Sequence, residues 1–172
     1  MTFVAGRRRF GRAAPATLAA AIVLLASAGA LATVWILQLG FGLEPCHLCY
    51  VQRWPYYAAL PVAGATLWLG RQGRGQAAHA GLGLLLALML ASAGLGLYHA
   101  GVEWRWWTGP TDCTGAGTAI RNAKDLLKGL NDVHVVRCDE AALRVLGLSL
   151  AGWNFVASLF LAAVAGWGFR RR

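Results

Sequence analysis

The sequence predicts an all-α membrane protein, a bundle of four transmembrane helices with one long loop on the outer side, formed as a single integral membrane domain over residues 1–172. Three observations carry this. Hydrophobic residues make up 58% of the chain and charged residues only 13%, about half the charged share of a soluble globular domain. The charges leave four long uncharged runs, and the basic residues cluster beside those runs. Twenty-two glycines follow no period, and the Leu, Ala, Val and Trp content excludes a fibrous or disordered chain.

The runs define the elements in order. Ala13 to Leu43 holds 31 residues without a formal charge, Trp54 to Gly70 holds 17, Gly75 to Val102 holds 28 and Val145 to Phe169 holds 25. As a helix each can cross ~30 Å of hydrocarbon, the second only just. In lipid the backbone must satisfy its own hydrogen bonds, and these runs are too long and too continuously apolar for barrel strands. The expected spans are therefore about 14–37, 52–70, 77–101 and 148–169, with an outer loop over about 102–147. Arg7-Arg8-Arg9-Phe10 before an apolar run, with Ala26-Ser27-Ala28 inside it, has the outline of a twin-arginine or secretory signal. The run is about twice a signal's ~7–15 apolar residues and three more spans follow, so a retained first helix is expected.

The net charge of +9 would raise the question of nucleic acid in a soluble domain. Here Arg7, Arg8, Arg9 and Arg12, then Arg71 and Arg74, then Arg170, Arg171 and Arg172 flank uncharged runs with no acid among them. They read as topology signals and put both termini on the cytoplasmic side. All seven acids fall on the opposite, outer side, where the loop from Gly101 to Gly147 balances six basic against six acidic residues. Trp35, Trp54, Trp104, Trp106, Trp107 and Trp153 lie near outer span ends and Trp68 and Trp167 near inner ones, as interfacial belts would, with core filling the alternative for one or two of them. Within the loop, Ile120, Ala123, Leu127 and Leu130 recur at helical spacing, which predicts a short amphipathic helix. A second is expected from about Glu140 to Leu146, N-capped by Asp139.

The cysteines carry the chemistry. Cys46 and Cys49 stand in Cys-His-Leu-Cys just before the second span, and Cys113 and Cys138 flank 24 residues of the loop. All four face the oxidising side, where four thiols are expected to form two disulfides. Structural staples suit Cys113 and Cys138, but a Cys-x-x-Cys ring is too small to constrain much chain. That spacing serves redox sites, where one thiolate reacts and the other resolves. A four-Cys zinc site would need a second closely spaced pair, and covalent haem would need His in place of Tyr50, so no metal is expected.

Arg53 follows Cys49 by one helical turn, where a cation lowers a thiol's pKa and suits an electron-rich partner; the plainer alternative is snorkelling to headgroups. Pro45 stops a regular helix from running through the motif, and Pro55 suits the first turn of a helix starting near Val51 or Gln52. Cys49 would then sit just outside that N-terminus, where the dipole favours thiolate. Pro61 marks an expected kink. His47 could add positive potential beside Cys46 or be a passive linker residue, and His79 and His134 read as structural or solvated.

At this point the chain resembles the disulfide bond formation protein B (DsbB) family, quinone-linked thiol oxidases of the bacterial inner membrane. The likeness spans essentially the whole chain. It rests on four spans with both ends inside, Pro45-Cys46-His47-Leu48-Cys49 with Arg53, Tyr98-His99 ending the third span, Cys113 and Cys138 in the outer loop, and Trp153 opening the fourth span. Gln52 departs from the acidic residue that some members carry there.

The resemblance implies a relay. A reduced periplasmic DsbA-like thioredoxin-fold oxidase attacks a Cys113–Cys138 disulfide at Cys113, and the released Cys138 attacks Cys46. Cys49 is freed as a thiolate toward bound quinone, either ubiquinone or menaquinone, with Arg53 and His99 binding that cofactor. Two rivals remain. An oxidase of the vitamin K epoxide reductase type usually has its Cys-x-x-Cys after the loop cysteines, and here it comes first. A non-catalytic membrane subunit stapled by two disulfides would show inert disulfides and no quinone.

Overall fold

Uncharged apolar runs leave the chain no better way to pair its backbone than helix, and helices dominate the structure. The computed structural model describes the backbone of residues 3–110 and 137–171, and side chains from residue 15 onward within them. In order these form α1 (Phe3–Gly40), α2 (His47–Arg71), α3 (Gly75–Glu103), a two-stranded hairpin of β1 (Arg144–Val145) and β2 (Leu148–Ser149), and α4 (Leu150–Arg170). Helix runs from Pro15 to Gly40, Gly75 to Glu103 and Leu150 to Arg170 are long and apolar enough to cross a membrane. The other long helix, α2, carries Gln52, Arg53, Tyr56 and Tyr57 and falls outside that set.

Each helix packs on its chain neighbour, and α4 closes back on α1. The core is built largely from small and aliphatic side chains, Ala19 and Val23 of α1, Ala59 and Ala63 of α2, Leu82, Leu85 and Met89 of α3, and Leu161 and Ala165 of α4. Where apolar burial cannot drive association, close backbone approach supplies the contact energy. Gly96 of α3 is one such place: a Cβ there would lie 2.8 Å from the backbone nitrogen of Phe155 in α4. All eight tryptophans are at least 37% exposed, so none fills the core, and the ring positions fit interfacial belts.

Two element boundaries differ from the sequence expectation. Helix α2 starts at His47, not near residue 51 or 52, because Cys46 itself is the N-cap: its backbone is extended and its sulfur accepts the N–H of Cys49. It then runs unbroken through Pro55 and Pro61 to Arg71. The helix expected over 140–146 is instead the hairpin. Leu146 and Gly147 both take positive φ, 52° and 85°, which ends any helix and is the signature of a tight hairpin turn. Arg144 pairs with Ser149 and Val145 with Leu148, and the Trp153 indole N–H donates to the Val145 carbonyl. Ser149 then N-caps α4, its hydroxyl accepting the N–H of Gly152. The amphipathic helix expected over 120–130, with Cys113 and His134, lies outside the described residues.

The close approach at Gly96 gives a direct test. Gly96→Ala is expected to destabilise the α3–α4 contact by about 1–3 kcal/mol as the backbones are forced apart. Gly94→Ala, which meets nothing within 4 Å, is expected to be neutral or stabilising by up to ~1 kcal/mol through helix propensity. Thermal unfolding of both variants in detergent, followed by circular dichroism, checks the pair.

Candidate active site

The first turn of α2 folds the Cys-x-x-Cys motif onto itself. Cys46 at the N-cap and Cys49 three residues on bring their sulfurs to 2.7 Å, and the Cys49 backbone N–H points at the Cys46 sulfur at 3.3 Å. Both are free thiols here, whereas Cys138 is disulfide-bonded. Cys138 is only 1% exposed and shares an apolar cluster with Cys46, Leu48 and Val102, against which Cys49 packs. Three of the four sequence-predicted cysteines are therefore described, and the fold gathers them at one end of the bundle.

The two thiols are unequal. The hydrogen bond from Cys49 holds the Cys46 thiol down to about 4 against the opposing effect of burial, with His99 assisting. The same bond, and then burial, push the Cys49 thiol up. The sequence expectation placed the thiolate on Cys49. With α2 starting at His47, the N-cap position and its N–H donor belong to Cys46.

His99, near the end of α3, is buried beside the pair, with Nε2 3.7 Å from the Cys46 sulfur. Its Nδ1 is hydrogen-bonded to the side-chain amide nitrogen of Gln52. The Gln52 carbonyl accepts from the Asn154 amide at 2.7 Å, and the Asn154 carbonyl accepts from the Tyr56 hydroxyl at 2.8 Å. Ser158 and Ser92 continue this buried chain between α4 and α3. One turn beyond His99, Glu103 places a carboxylate oxygen 4.0 Å from Nε2. The sulfurs of Cys46 and Cys49 and the ring of His99 lie within 4.8 Å of one another.

Arg53 is 8% exposed and does not hydrogen-bond to Cys49. Its guanidinium donates to the Gln38 carbonyl oxygen at 2.8 Å and lies over the rings of Trp35 and Tyr50, 5.6 and 5.0 Å from their centroids. Among the described residues it has no carboxylate partner within ion-pair distance. Arg53 and Cys49 nevertheless line the same cavity, about 120 Å³, between α1, α2 and α4 and floored by His99. Leu31, Val34 and Leu37 make its apolar wall, and Gln52, Arg53, His99 and Asn154 supply its polar groups. Cys46 does not line this cavity; Cys49 does.

Of the remaining histidines, His47 is exposed and His79 stacks on Phe169 at 3.8 Å, far along α3 from the cysteines. Sequence reading passed over Tyr56, Glu103 and Asn154 and took Gln52 only as a departure. Asn154 had a signal, since it is an uncompensated amide inside a 25-residue uncharged run. Glu103 stands one turn after His99, a spacing that was legible too.

Comparison with known proteins bears on this geometry. The family described as Disulfide bond formation protein DsbB matches residues 16–168. The chain is 35% identical over 147 residues to Disulfide bond formation protein B of Albidiferax ferrireducens, covering 79% of this chain and 77% of that one. It is 33% identical over 146 residues to the protein of the same name from Marinobacter nauticus, covering 78% and 80%. A third of that name, from a Polaromonas species, is 29% identical over 154 residues, 84% of each chain. No solved structure matches the chain.

The thiol inequality predicts a pH response of the reduced protein. Alkylation is expected at Cys46 in preference to Cys49, persisting into acid and fading only as pH falls through about 4. Because the folded value lies below the ordinary 9.0, the stabilisation is fully present above pH 9.0 and is lost as pH falls from there to about 4. Mass mapping of the adduct against pH, with Cys46→Ser as the flat control, checks both statements.

Proposed function

Because the chain belongs to the DsbB family, all-α membrane oxidoreductases of disulfide bond formation, we propose that it reoxidises a periplasmic DsbA-like dithiol and delivers the electron pair to membrane quinone. The observation that carries this reading is the division of the Cys46–Cys49 pair. Cys46 packs with the disulfide-bonded Cys138, while Cys49 faces the cavity that also holds Arg53. One sulfur is placed to receive electrons from the loop, the other to pass them on.

In the relay, a partner thiolate attacks Cys113 of a Cys113–Cys138 disulfide, and the leaving Cys138 thiolate attacks Cys46 of an oxidised Cys46–Cys49 pair. A new Cys46–Cys138 bond forms and Cys49 leaves as thiolate. The partner's second thiol breaks its bond to Cys113 and leaves the partner oxidised; the freed Cys113 thiolate then attacks Cys138 of the Cys46–Cys138 bond, which restores the loop disulfide, releases Cys46 and leaves Cys46 and Cys49 holding two electrons as a dithiol. Cys138 is buried, so a folded partner does not reach it directly. A reduced Cys46–Cys49 pair beside a bonded Cys138 corresponds to the state after that transfer.

A quinone held in the cavity beside Cys49 and Arg53 would supply the two-electron acceptor. The chain's own part is to hold the reacting sulfur and a cation there. Arg53 uses one N–H on Gln38, which leaves further N–H groups of the fork for a ligand oxygen. Its aromatic neighbours offset part of the cost of burying the charge. Cys49 sheds its proton to the Cys46 thiolate across 2.7 Å as it becomes the nucleophile.

Topology completes the reading. α2 serves as the fourth span, because its polar residues Gln52, Arg53 and Tyr56 are buried within the bundle while Trp54 and Tyr57 face outward. The basic clusters at both ends and at Arg71 and Arg74 then put both termini in the cytoplasm and the cysteines in the periplasm. One domain over residues 1–172 accounts for all of it.

Anaerobic mixing of the protein with a reduced thioredoxin-fold oxidase and a soluble quinone tests the proposal. Quinone absorbance is expected to fall with wild type and not with Cys46→Ser or Cys49→Ser; turnover retained in Cys49→Ser would overturn its role. Cys138→Ser is expected to trap a mixed disulfide through Cys113, and no adduct would favour an inert, stapled loop. Arg53→Gln is expected to raise the Michaelis constant for quinone by roughly tenfold or more, the value of one charge-assisted hydrogen bond; an unchanged constant would remove Arg53 from the quinone site.

A further inference from the structure

A neutral imidazole has one donor and one acceptor nitrogen, so at His99 whatever meets Nδ1 decides what Nε2 can offer Cys46. The group on Nδ1 is the Gln52 side-chain amide, which can present either its NH₂ or its oxygen. Its orientation is set from the other side. The Asn154 NH₂ donates to the Gln52 oxygen at 2.7 Å, which turns the Gln52 nitrogen toward His99. Asn154 is oriented in turn by two hydroxyls on its own oxygen, Tyr56 at 2.8 Å and Ser158 at 3.3 Å. Ser158 is fully buried and tied to the equally buried Ser92, so water is not at hand to replace a lost bond in this chain.

We propose that Gln52 is a positioning residue: held by Asn154, its amide N–H keeps His99 in the tautomer with the proton on Nε2, so that His99 donates to the Cys46 sulfur. The inference rests on reading Cys46 and Cys49 as the redox pair. The donated proton keeps the dithiol's negative charge on Cys46 and the transferable proton on the cavity-facing Cys49. It also leaves Nε2 without a lone pair, so this nitrogen does not ligate a metal beside the two sulfurs.

The other groups around this point are few. Cys49 on α2 donates to Cys46, and Glu103 on α3 lies 4.0 Å from Nε2 and is itself influenced by Arg144 of the hairpin. Arg53 and Glu44 both line the cavity shared with Cys49 and His99. No formal charge lies between residues 13 and 43 or between 145 and 169, so neither α1 nor α4 brings one to the site.

Nitrogen-15 shifts of labelled histidine in the reduced protein, reconstituted in nanodiscs with neither quinone nor partner, read the tautomer directly, with His99→Gln to assign the signal. Neutral His99 protonated on Nε2 is expected; protonation on Nδ1 would overturn the proposal. The second readout is the pH profile of Cys46 alkylation. Gln52→Leu is expected to slow it roughly tenfold at acidic pH, the loss of one hydrogen bond to a charged sulfur. Gln52→Glu, which holds the Nδ1 proton and favours imidazolium, is expected to move the profile to lower pH. A wild-type profile in Gln52→Leu, or the same slowing in both variants, would reduce Gln52 to a packing role and overturn the proposal. Should Gln52→Leu fail to fold, the wild-type shift and Gln52→Glu decide. The expected tautomer and profile in a protein with no quinone turnover would retain the positioning role and sink the redox reading.

Discussion

A polar side chain buried in an apolar bundle has to find its partner on another helix, and the Gln52 amide is where this constraint is met. Its nitrogen meets His99 of α3 and its oxygen meets Asn154 of α4. One residue of α2 thereby pins the rotation of two other helices about their axes. Tyr56, one turn further along α2, reaches Asn154 and Ser158 and repeats the connection deeper in the bundle. Few alternative packings would satisfy all of these groups, and each group left unsatisfied costs more in this setting than in water.

Close backbone approach then decides how tightly the pinned helices meet. Gly96 lets α3 sit against the backbone of α4, and Gly168 brings α4 against Ala19 of α1. With the large rings turned outward, the interior is left to alanines, leucines and serines. The cavity lies at one end of this bundle, walled by α1 and lined also by Leu43, Glu44 and Pro45 between α1 and α2. Arg53 stands in it as a buried cation held by an amide and two aromatic faces instead of a carboxylate. Burying a charge in that way costs stability, which is the usual mark of a residue kept for its ligand.

Chemical asymmetry at the cysteines follows from backbone geometry. The first turn of α2 gives Cys46 the N-cap position, the Cys49 N–H, the Cys49 thiol and the His99 ring. Among the described residues nothing comparable reaches Cys49, so two identical side chains three residues apart are made chemically unequal. In the proposed relay this ordering keeps the proton at the cavity until an acceptor is there to receive the electrons. Gln52 extends the same ordering one residue outward, through the imidazole.

Much of the architecture was determined by sequence alone. Charge-free runs long enough to cross a bilayer leave helix as the solution, and a helix covers most of each of the four. The Cys-x-x-Cys spacing, with the two loop cysteines, also sufficed to point to thiol chemistry and to the family. Two local features were decided by competition that no residue pattern displays. Cys46 caps α2 with its sulfur, and Leu146 accepts a left-handed backbone that closes a hairpin where a seven-residue helix would have been marginal. The hydrogen-bonded chain from Cys46 through His99 and Gln52 to Asn154 belonged to tertiary structure altogether. Gln52 and Asn154 are 102 residues apart, and whether they meet depends on helix rotations fixed by packing, which apolar periodicity does not encode.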